Sequence, residues 1–276
     1  MKDIDCVGFL QWALPALRMR WLGFRKVRGQ VCKRIQRRID RLELADVEAY
    51  RSFLQRHPKE WRVLDGLCRV TVSRFYRDQR VFASLERDVL PSLARKAICH
   101  GQSKLRAWSA GCGAGEEPYT LSLLWKLRLQ SQAPSLGMDI LATDVDDNMI
   151  ARAKRACYDF GSLKELPESL RTQAFVDRDG THCLRAECKA NVDFLCEDVR
   201  TTVPSGPFDL ILCRNLVFTY FGEPLQLEIT DRISHSLNAD GVLVLGVHEK
   251  LPTTCRAFKR WSEVGSFYRK SGRMSR

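Results

Sequence analysis

Two patterns of apolar and polar positions divide the chain. Before residue 69, apolar residues recur every three or four positions, which is typical of helices that bury one face. After residue 103, short apolar runs alternate with helix-like segments. This alternation is typical of a parallel sheet covered by helices on both faces. We therefore predict a small all-helical N-terminal domain, residues 1–68, followed by an α/β domain, residues 69–276.

The second pattern predicts individual elements of the α/β domain. The predicted strands are 106–110, 139–143, 192–195, 208–213 and 242–246, and the predicted helices are 118–129, 147–156 and 223–237. Between residues 161 and 190 the alternation breaks, and Arg178-Asp179-Gly180 is typical of a hairpin turn. We interpret this stretch as a small β insertion.

The N-terminal helical region carries an excess of positive charge. Residues 1–62 contain 15 lysines and arginines against 7 aspartates and glutamates, and the whole chain of 276 residues has a net charge of +12. Eight of these basic residues lie within 25–41, between the members of the apolar stripe Val27, Val31, Ile35, Ile39 and Leu42. This helix face is either simply solvated or a docking surface for an acidic partner.

The apolar stretches and the cysteines indicate where the protein is located. Cys6–Leu17 is apolar but short and is interrupted by Gln11 and Pro15, so it is a poor signal peptide and cannot span a bilayer. The chain has 11 scattered cysteines without a C-x-x-C pair. We expect a cytoplasmic protein with reduced cysteines. The nearest approach to a ligand cluster is His182, Cys183 and Cys188, and we expect no metal there.

The stretch WSAGCGAGEEP, residues 108–118, places a glycine-rich turn between a predicted strand and a predicted helix. Its glycines, Gly111, Gly113 and Gly115, match neither the dinucleotide fingerprint nor a phosphate-binding loop. Glu116 and Glu117 follow directly; acids suit a helix N-terminus but are unfavourable beside a pyrophosphate. The motif therefore favours a ligand with cationic groups, such as S-adenosylmethionine with its ammonium and sulfonium.

Polar residues also follow the other predicted strands. Asp144 ends the second strand, where a carboxylate can accept hydrogen bonds from both hydroxyls of a ribose. Asp198 and Val199 follow the third strand, where an adenine edge could be recognised, and Arg214 and Asn215 follow the fourth. Because ligands bind beyond the carboxyl ends of strands in doubly wound sheets, these residues are predicted to share one site.

The motifs together resemble the CheR-type chemotaxis receptor methyltransferases, S-adenosylmethionine-dependent enzymes that esterify receptor glutamates. The resemblance rests on VTVSRFYRD (70–78), WSAGCGAGEEPYTLSLL (108–124), ATDVDDNMIARAKRACYDFGSLKELP (142–167), FDLILCRN (208–215) and DGVLVLGVHE (240–249). It implies a Rossmann-like methyltransferase domain with a small β insertion, preceded by a helical domain. It also implies that the basic helix docks on an acidic helical partner.

The resemblance further implies roles for individual residues. Glu117 would bind the methionine ammonium, Asp144 the ribose, and Asp198 and Val199 the adenine. The remaining cofactor contacts would come from the linker, the glycine turn and the fourth strand end: Thr71, Ser73, Arg77, Gly111, Gly113, Arg214 and Asn215. Arg77 and Tyr220 would orient the methyl acceptor, and the product would be S-adenosylhomocysteine. An acceptor carboxylate is ionised at neutral pH, so no general base is expected.

Two departures from the family pattern concern the acceptor. RNLVFTYF, residues 214–221, is one residue longer than usual, and Thr71 stands where an asparagine is usual. A small-molecule acceptor is therefore an alternative to a protein glutamate. A non-catalytic binding module is a further alternative. Nucleic-acid methylation is disfavoured because the chain has neither a [DNS]-P-P-[YFW] motif after the fourth strand nor a Pro-Cys nucleophile.

Overall fold

The computed structural model describes residues 2–261 and 266–271, which form two compact units. The helical unit comprises Met1–Thr71 together with Thr219–Gln226. The α/β unit comprises Val72–Phe218 and Leu227–Arg276. The helical unit is therefore discontinuous in sequence, and its second segment is not part of the N-terminal domain that the sequence predicts.

Short helices that bury part of their surface build the N-terminal segment of the helical unit. They are α1 (Asp3–Ala16), α2 (Trp21–Phe24), α3 (Arg28–Arg41), α4 (Val47–Arg56) and α5 (Glu60–Cys68). The apolar stripe of α3 points inward, since Val31, Ile35 and Ile39 are buried. Asp46 is the N-cap of α4: its side chain accepts a hydrogen bond from the Ala49 N–H at 2.8 Å and so satisfies an unpaired donor of the first turn.

Two disulfides overturn the expectation that all the cysteines are reduced. Cys6 on α1 is bonded to Cys32 on α3, with a Cα–Cα distance of 6.0 Å. Cys157 is bonded to Cys183, its direct partner across an antiparallel strand pair. Each pair is 26 residues apart in sequence, so only the packing of the elements brings the sulfurs together. Because Cys183 is bonded, its thiolate cannot serve as a metal ligand with His182 and Cys188.

A seven-stranded sheet forms the core of the α/β unit, in the order β6-β2-β1-β7-β8-β10-β9. Its strands are β1 (Lys104–Ala110), β2 (Gly137–Asp144), β6 (Val192–Cys196), β7 (Phe208–Leu212), β8 (Leu237–Val244), β9 (Phe258–Arg260) and β10 (Phe267–Lys270). The first five are parallel, whereas β10 runs antiparallel to β8 and to β9. This is the Rossmann-like α/β fold that the strand–helix alternation predicts.

Helices and a second, smaller sheet complete the unit. The helices are α6 (Gln79–Ser84), α7 (Leu90–Cys99), α8 (Glu116–Leu124), α9 (Asp147–Arg155), α10 (Phe160–Leu163), α11 (Glu168–Ala174), α12 (Ala186–Lys189), α13 (Val217–Tyr220) and α14 (Glu223–Ser236); the last two extend across the unit boundary. The antiparallel sheet has the order β3-β5-β4, with β3 (Cys157–Tyr158), β4 (Phe175–Arg178) and β5 (Thr181–Leu184). Asp179 and Gly180 join β4 to β5, both with positive φ, as a two-residue hairpin requires.

The strand order fixes where a ligand can bind. From β1 the chain adds β2 and β6 on one side and β7 and β8 on the other, so the order reverses between β1 and β7. Ser109 of β1 lies beside Leu212 of β7, which brings the loops after both strands together. This switch point is the usual ligand site of the fold. No helix within 2–261 and 266–271 has the length and apolar character needed to cross a bilayer.

Candidate functional site

The glycine turn after β1 closes back onto the end of β2. The N–H groups of Gly111 and Cys112 donate to the Thr143 carbonyl at 2.8 and 3.0 Å, and the Gly113 N–H donates to a carboxylate oxygen of Asp144 at 2.8 Å. Gly111 and Gly113 have φ values of 72° and 56°, which residues with a Cβ adopt rarely. The turn thus holds the predicted ribose ligand Asp144 through the backbone, and no side chain at these two positions covers the strand end.

Asp144 is fixed by a second hydrogen bond. Its other carboxylate oxygen accepts from the Asp146 N–H at 3.0 Å. Two backbone donors hold the carboxylate in one orientation at the end of β2. A carboxylate in this place fits a ligand that presents hydroxyl groups.

A buried arginine lies at the switch point between two carboxylates. The Arg214 side chain is 2% exposed; it donates to Glu117 at 2.9 Å and to Asp78 at 2.7 Å. It also donates to the Arg77 carbonyl at 2.9 Å, and its guanidinium lies 5.0 Å from the centre of the Phe82 ring. Arg214 therefore connects the loop before α6 to the first turn of α8.

The charges of this cluster favour a cationic ligand. Arg214 carries one positive charge and Glu117 and Asp78 carry two negative charges, so the trio has a net charge of −1. The neighbouring Cys112 thiol is in a negative environment: burial raises its pKa, and the charges of Asp144, Glu117 and Glu116 raise it further. An ammonium group bound at Glu117 would neutralise the trio, so the residues fit the ammonium of S-adenosylmethionine.

The two adjacent glutamates of the motif have different surroundings. Glu117 is partly exposed and accepts a hydrogen bond from the Ser109 hydroxyl at 2.8 Å. Glu116 is 3% exposed, its pKa is raised by burial, and the Ser73 hydroxyl donates to it. One oxygen of Glu116 is buried without a hydrogen-bond partner in the part of the chain that the structure describes. Only Glu117 is therefore positioned to contact a ligand, whereas Glu116 is a structural residue that holds Ser73.

Asn215 is held by a glutamate that sequence reasoning did not assign. Its backbone has a φ of 55°, and its N–H donates to the carboxylate of Glu249 at 2.7 Å. The same oxygen accepts from the Gly246 N–H at 2.7 Å, and Glu249 is 4% exposed. A Cβ at Gly246 would come within 2.8 Å of both the Asn215 amide oxygen and the Glu249 carboxylate. Glu249 belongs to the DGVLVLGVHE motif, which was the only sequence signal for it.

Replacing Glu249 with alanine is expected to weaken binding of S-adenosylhomocysteine about tenfold and to lower the Tm. Two buried N–H groups lose their acceptor, and each costs about 1–3 kcal/mol when unpaired. Calorimetric titration and thermal unfolding measure both effects. Glu187→Ala, at an exposed glutamate, is the control; equal behaviour of the two variants would contradict this role.

The remaining predicted residues occupy three different places. The Asp198 carboxylate pairs with Arg200 at 2.7 Å, a partner that the sequence did not suggest, and Val199 beside it is buried. The Arg77 side chain donates to the Val72 carbonyl and so closes the linker on itself. Thr71 and Tyr220 belong to the helical unit, whereas the other predicted site residues lie in the α/β unit.

Comparison with known proteins identifies the family. Residues 71–264 match the family model "CheR methyltransferase, SAM binding domain". A chemotaxis protein methyltransferase of Listeria monocytogenes is 32% identical over 203 residues, which cover 72% of this chain and 74% of the relative. One from Salmonella typhimurium is 30% identical over 245 residues, covering 84% of this chain and 79% of the relative. The chain therefore belongs to the CheR family and is an S-adenosylmethionine-dependent methyltransferase.

Proposed function

We propose that this methyltransferase esterifies a glutamate side chain on a protein acceptor. The observation that supports the donor in this proposal is the Arg214–Glu117–Asp78 cluster at the switch point, whose net negative charge suits a cationic methyl donor. The matching relatives are named chemotaxis protein methyltransferases, which favours a chemotaxis receptor as the acceptor. S-adenosylmethionine, when bound, supplies a methyl group on a sulfonium and becomes S-adenosylhomocysteine.

We assign the chain's own residues the following tasks. Glu117 binds the ammonium of the donor, Asp144 binds the ribose, and Asp198 and Val199 lie at the adenine. Arg214 and Asn215 maintain the conformation of the loop after β7. Gly111 and Gly113 have no side chain and so leave the backbone of the glycine turn accessible to the donor. Thr71 and Ser73 belong to the linker that closes over the donor. Arg77 and Tyr220 orient the acceptor carboxylate, which attacks as the ionised form, so the site needs no general base.

Labelled methyl transfer tests the proposal. Purified protein is incubated with methyl-labelled S-adenosylmethionine and a soluble, acidic helical fragment of a chemotaxis receptor, and the label is then treated with mild base. Label that is released by base, and lost when the fragment's glutamates are changed to glutamine, supports ester formation. Base-stable label would overturn the ester assignment. Turnover with metabolites in the absence of protein would favour the small-molecule alternative.

We further propose that the N-terminal helical domain, residues 1–68 with its basic helix, docks the acceptor. Of the eight basic side chains in 25–41, three are engaged within the unit: Arg28 pairs with Asp3, Arg38 pairs with Glu60, and Arg34 donates to the Leu67 carbonyl. Lys33 and Arg37 are exposed on α3, four residues apart, and so share one solvent face. This face suits an acidic helix.

Reversing two of these charges, Lys33→Glu with Arg37→Glu, is expected to raise the KM for the receptor fragment tenfold or more at low salt. The Kd for S-adenosylmethionine should stay unchanged, because the reversed charges affect association with the acceptor and not binding of the donor. Steady-state kinetics at two salt concentrations measures this effect, which added salt reduces. The control is Arg95→Glu with Arg155→Glu, two exposed arginines of the α/β unit, which changes the net charge equally. An equal KM increase in the control would contradict docking at α3.

The remaining proposals concern organisation and location. We propose that residues 161–190 act as an insertion in the methyltransferase domain, residues 69–276. We also propose that the protein is cytoplasmic. Cell fractionation tests the location, and recovery in a membrane or secreted fraction would overturn it.

A further inference from the structure

The segment that carries Tyr220 is folded into the helical unit. The Arg20 N–H donates to the Tyr220 carbonyl at 2.8 Å, and the Gly222 N–H donates to the Arg18 carbonyl at 2.9 Å. Between these bonds, Met19 and Phe221 form an antiparallel bridge. The backbone around Tyr220 is therefore registered against residues 18–20 as a short two-stranded ladder.

Gly23 lies against the backbone immediately before this ladder. A Cβ at position 23 would lie 2.3 Å from the Thr219 carbonyl oxygen, 3.0 Å from its carbon and 3.1 Å from the Tyr220 Cα. All three are backbone atoms, which cannot turn aside as the end of a flexible side chain can. The Arg20 guanidinium also donates to the Thr219 carbonyl at 3.1 Å. The close approach at Thr219 therefore requires glycine at position 23.

The ring of Tyr220 is held by the residue that follows Gly23. Phe24 is fully buried, and its ring lies edge-on to the Tyr220 ring with a centroid distance of 5.2 Å. Tyr220 itself is only partly buried. One turn of the helical unit thus sets both the backbone and the ring of this tyrosine.

We infer that Gly23 is a positioning residue for the methyl acceptor. By leaving room for the Thr219 carbonyl, it fixes the position of Tyr220, which orients the acceptor. The inference rests on the proposed function, in which Tyr220 orients the acceptor carboxylate. It adds a second role for the helical unit, since residues outside the basic helix then determine the acceptor geometry. Donor binding does not depend on it.

Gly23→Ala tests the inference, with Gly8→Ala as the matched control. Gly8 lies on α1 in the same unit, outside the basic helix, and an added Cβ there meets no atom within 4 Å. We expect Gly23→Ala to lower kcat/KM for the acceptor on the order of 10- to 100-fold, because displacements near 1 Å at a reacting group have effects of this size. The Kd for S-adenosylhomocysteine is expected to remain that of Gly8→Ala.

A double-mutant comparison distinguishes a change in the position of Tyr220 from a general loss of structure. In a Tyr220→Phe background, Gly23→Ala should cause little further loss, because both changes act through the same hydroxyl. If Gly23→Ala folds poorly, Phe24→Leu, which keeps an apolar side chain in the buried position, takes its place. It should likewise lower kcat/KM for the acceptor and leave the Kd for S-adenosylhomocysteine unchanged. Full additivity with Tyr220→Phe, a parallel loss of donor affinity, or activity equal to that of Gly8→Ala would each overturn the inference. Activity of each variant is measured from all transferred label, whether or not base releases it. Base-stable label would therefore refute the ester proposal but would leave the comparison between the variants valid.

Discussion

Replacing Arg214 with methionine is expected to abolish methyl transfer and to destabilise the α/β unit by about 3–5 kcal/mol, which is the usual cost of removing one partner from buried ion pairs. The substitution leaves Glu117 and Asp78 without their shared cation and releases the Arg77 carbonyl. Thermal unfolding measures the destabilisation, with a Tm decrease of roughly 10 °C. Labelled methyl transfer measures the loss of activity.

Two further variants distinguish loss of the buried cluster from loss of any arginine, and loss of stability from loss of donor binding. Arg155→Met, at an exposed arginine of α9, should leave both Tm and activity unchanged. Adding Glu117→Gln and Asp78→Asn to Arg214→Met should recover much of the stability, because no unpaired charge remains, but it should not recover donor binding. Full activity of Arg214→Met would show that the cluster has no part in the reaction.

Glu117→Gln is expected to weaken S-adenosylmethionine binding by roughly 10- to 100-fold, because a hydrogen bond to a charged group contributes about 1.5–3 kcal/mol. The neighbouring Glu116→Gln is the matched control, since it makes the same chemical change one residue away. It should leave the Kd unchanged, because Glu116 is buried and a glutamine side chain keeps an oxygen that can accept the Ser73 hydrogen bond. Calorimetric titration of both variants tests this, and equal Kd increases would contradict the assignment of Glu117.

The same control variant predicts a pH dependence of stability. Burial raises the pKa of Glu116, so the folded state favours its neutral form. The stability associated with this group is therefore present at pH values below its unfolded pKa and is lost as the pH rises through the folded pKa. Glu116→Gln should match the wild-type free energy of unfolding in acid and exceed it at neutral pH. Denaturant unfolding at several pH values measures the difference.

The strand–helix alternation was sufficient to predict most of the α/β unit. The strand predicted at 139–143 is observed as Gly137–Asp144, and the helix predicted at 147–156 is observed as Asp147–Arg155. The sequence did not predict β9 and β10, and it placed the start of β8 at residue 242, whereas β8 begins at Leu237. Asn238 to Gly241 have the composition of a turn, and Asp240 has a positive φ, so an irregular strand was not distinguishable from a loop.

The sequence predicted the site residues that lie at strand ends, but it did not predict which of them form ion pairs and hydrogen bonds with one another. Asp144 is the last residue of β2 and Arg214 follows the end of β7 by two residues, so both could be placed from sequence. The ion pair between Glu117 and Arg214 joins residues 97 positions apart and exists because β1 and β7 are neighbours in the sheet. The hydrogen bond between Asn215 and Glu249, which are 34 positions apart, depends equally on packing. Local sequence patterns carry no information about such pairings.

The discontinuous helical unit restricts how this enzyme can be recombined with its relatives. A chimera that exchanges only residues 1–71 would place a foreign residue 23 against the native Thr219 carbonyl, and a foreign ladder strand against Phe221. A chimera that also transfers residues 219–226 keeps every one of these contacts within a single parent. Productive exchange of acceptor recognition between family members should therefore require two separate crossover segments, and evolution is expected to have changed them together.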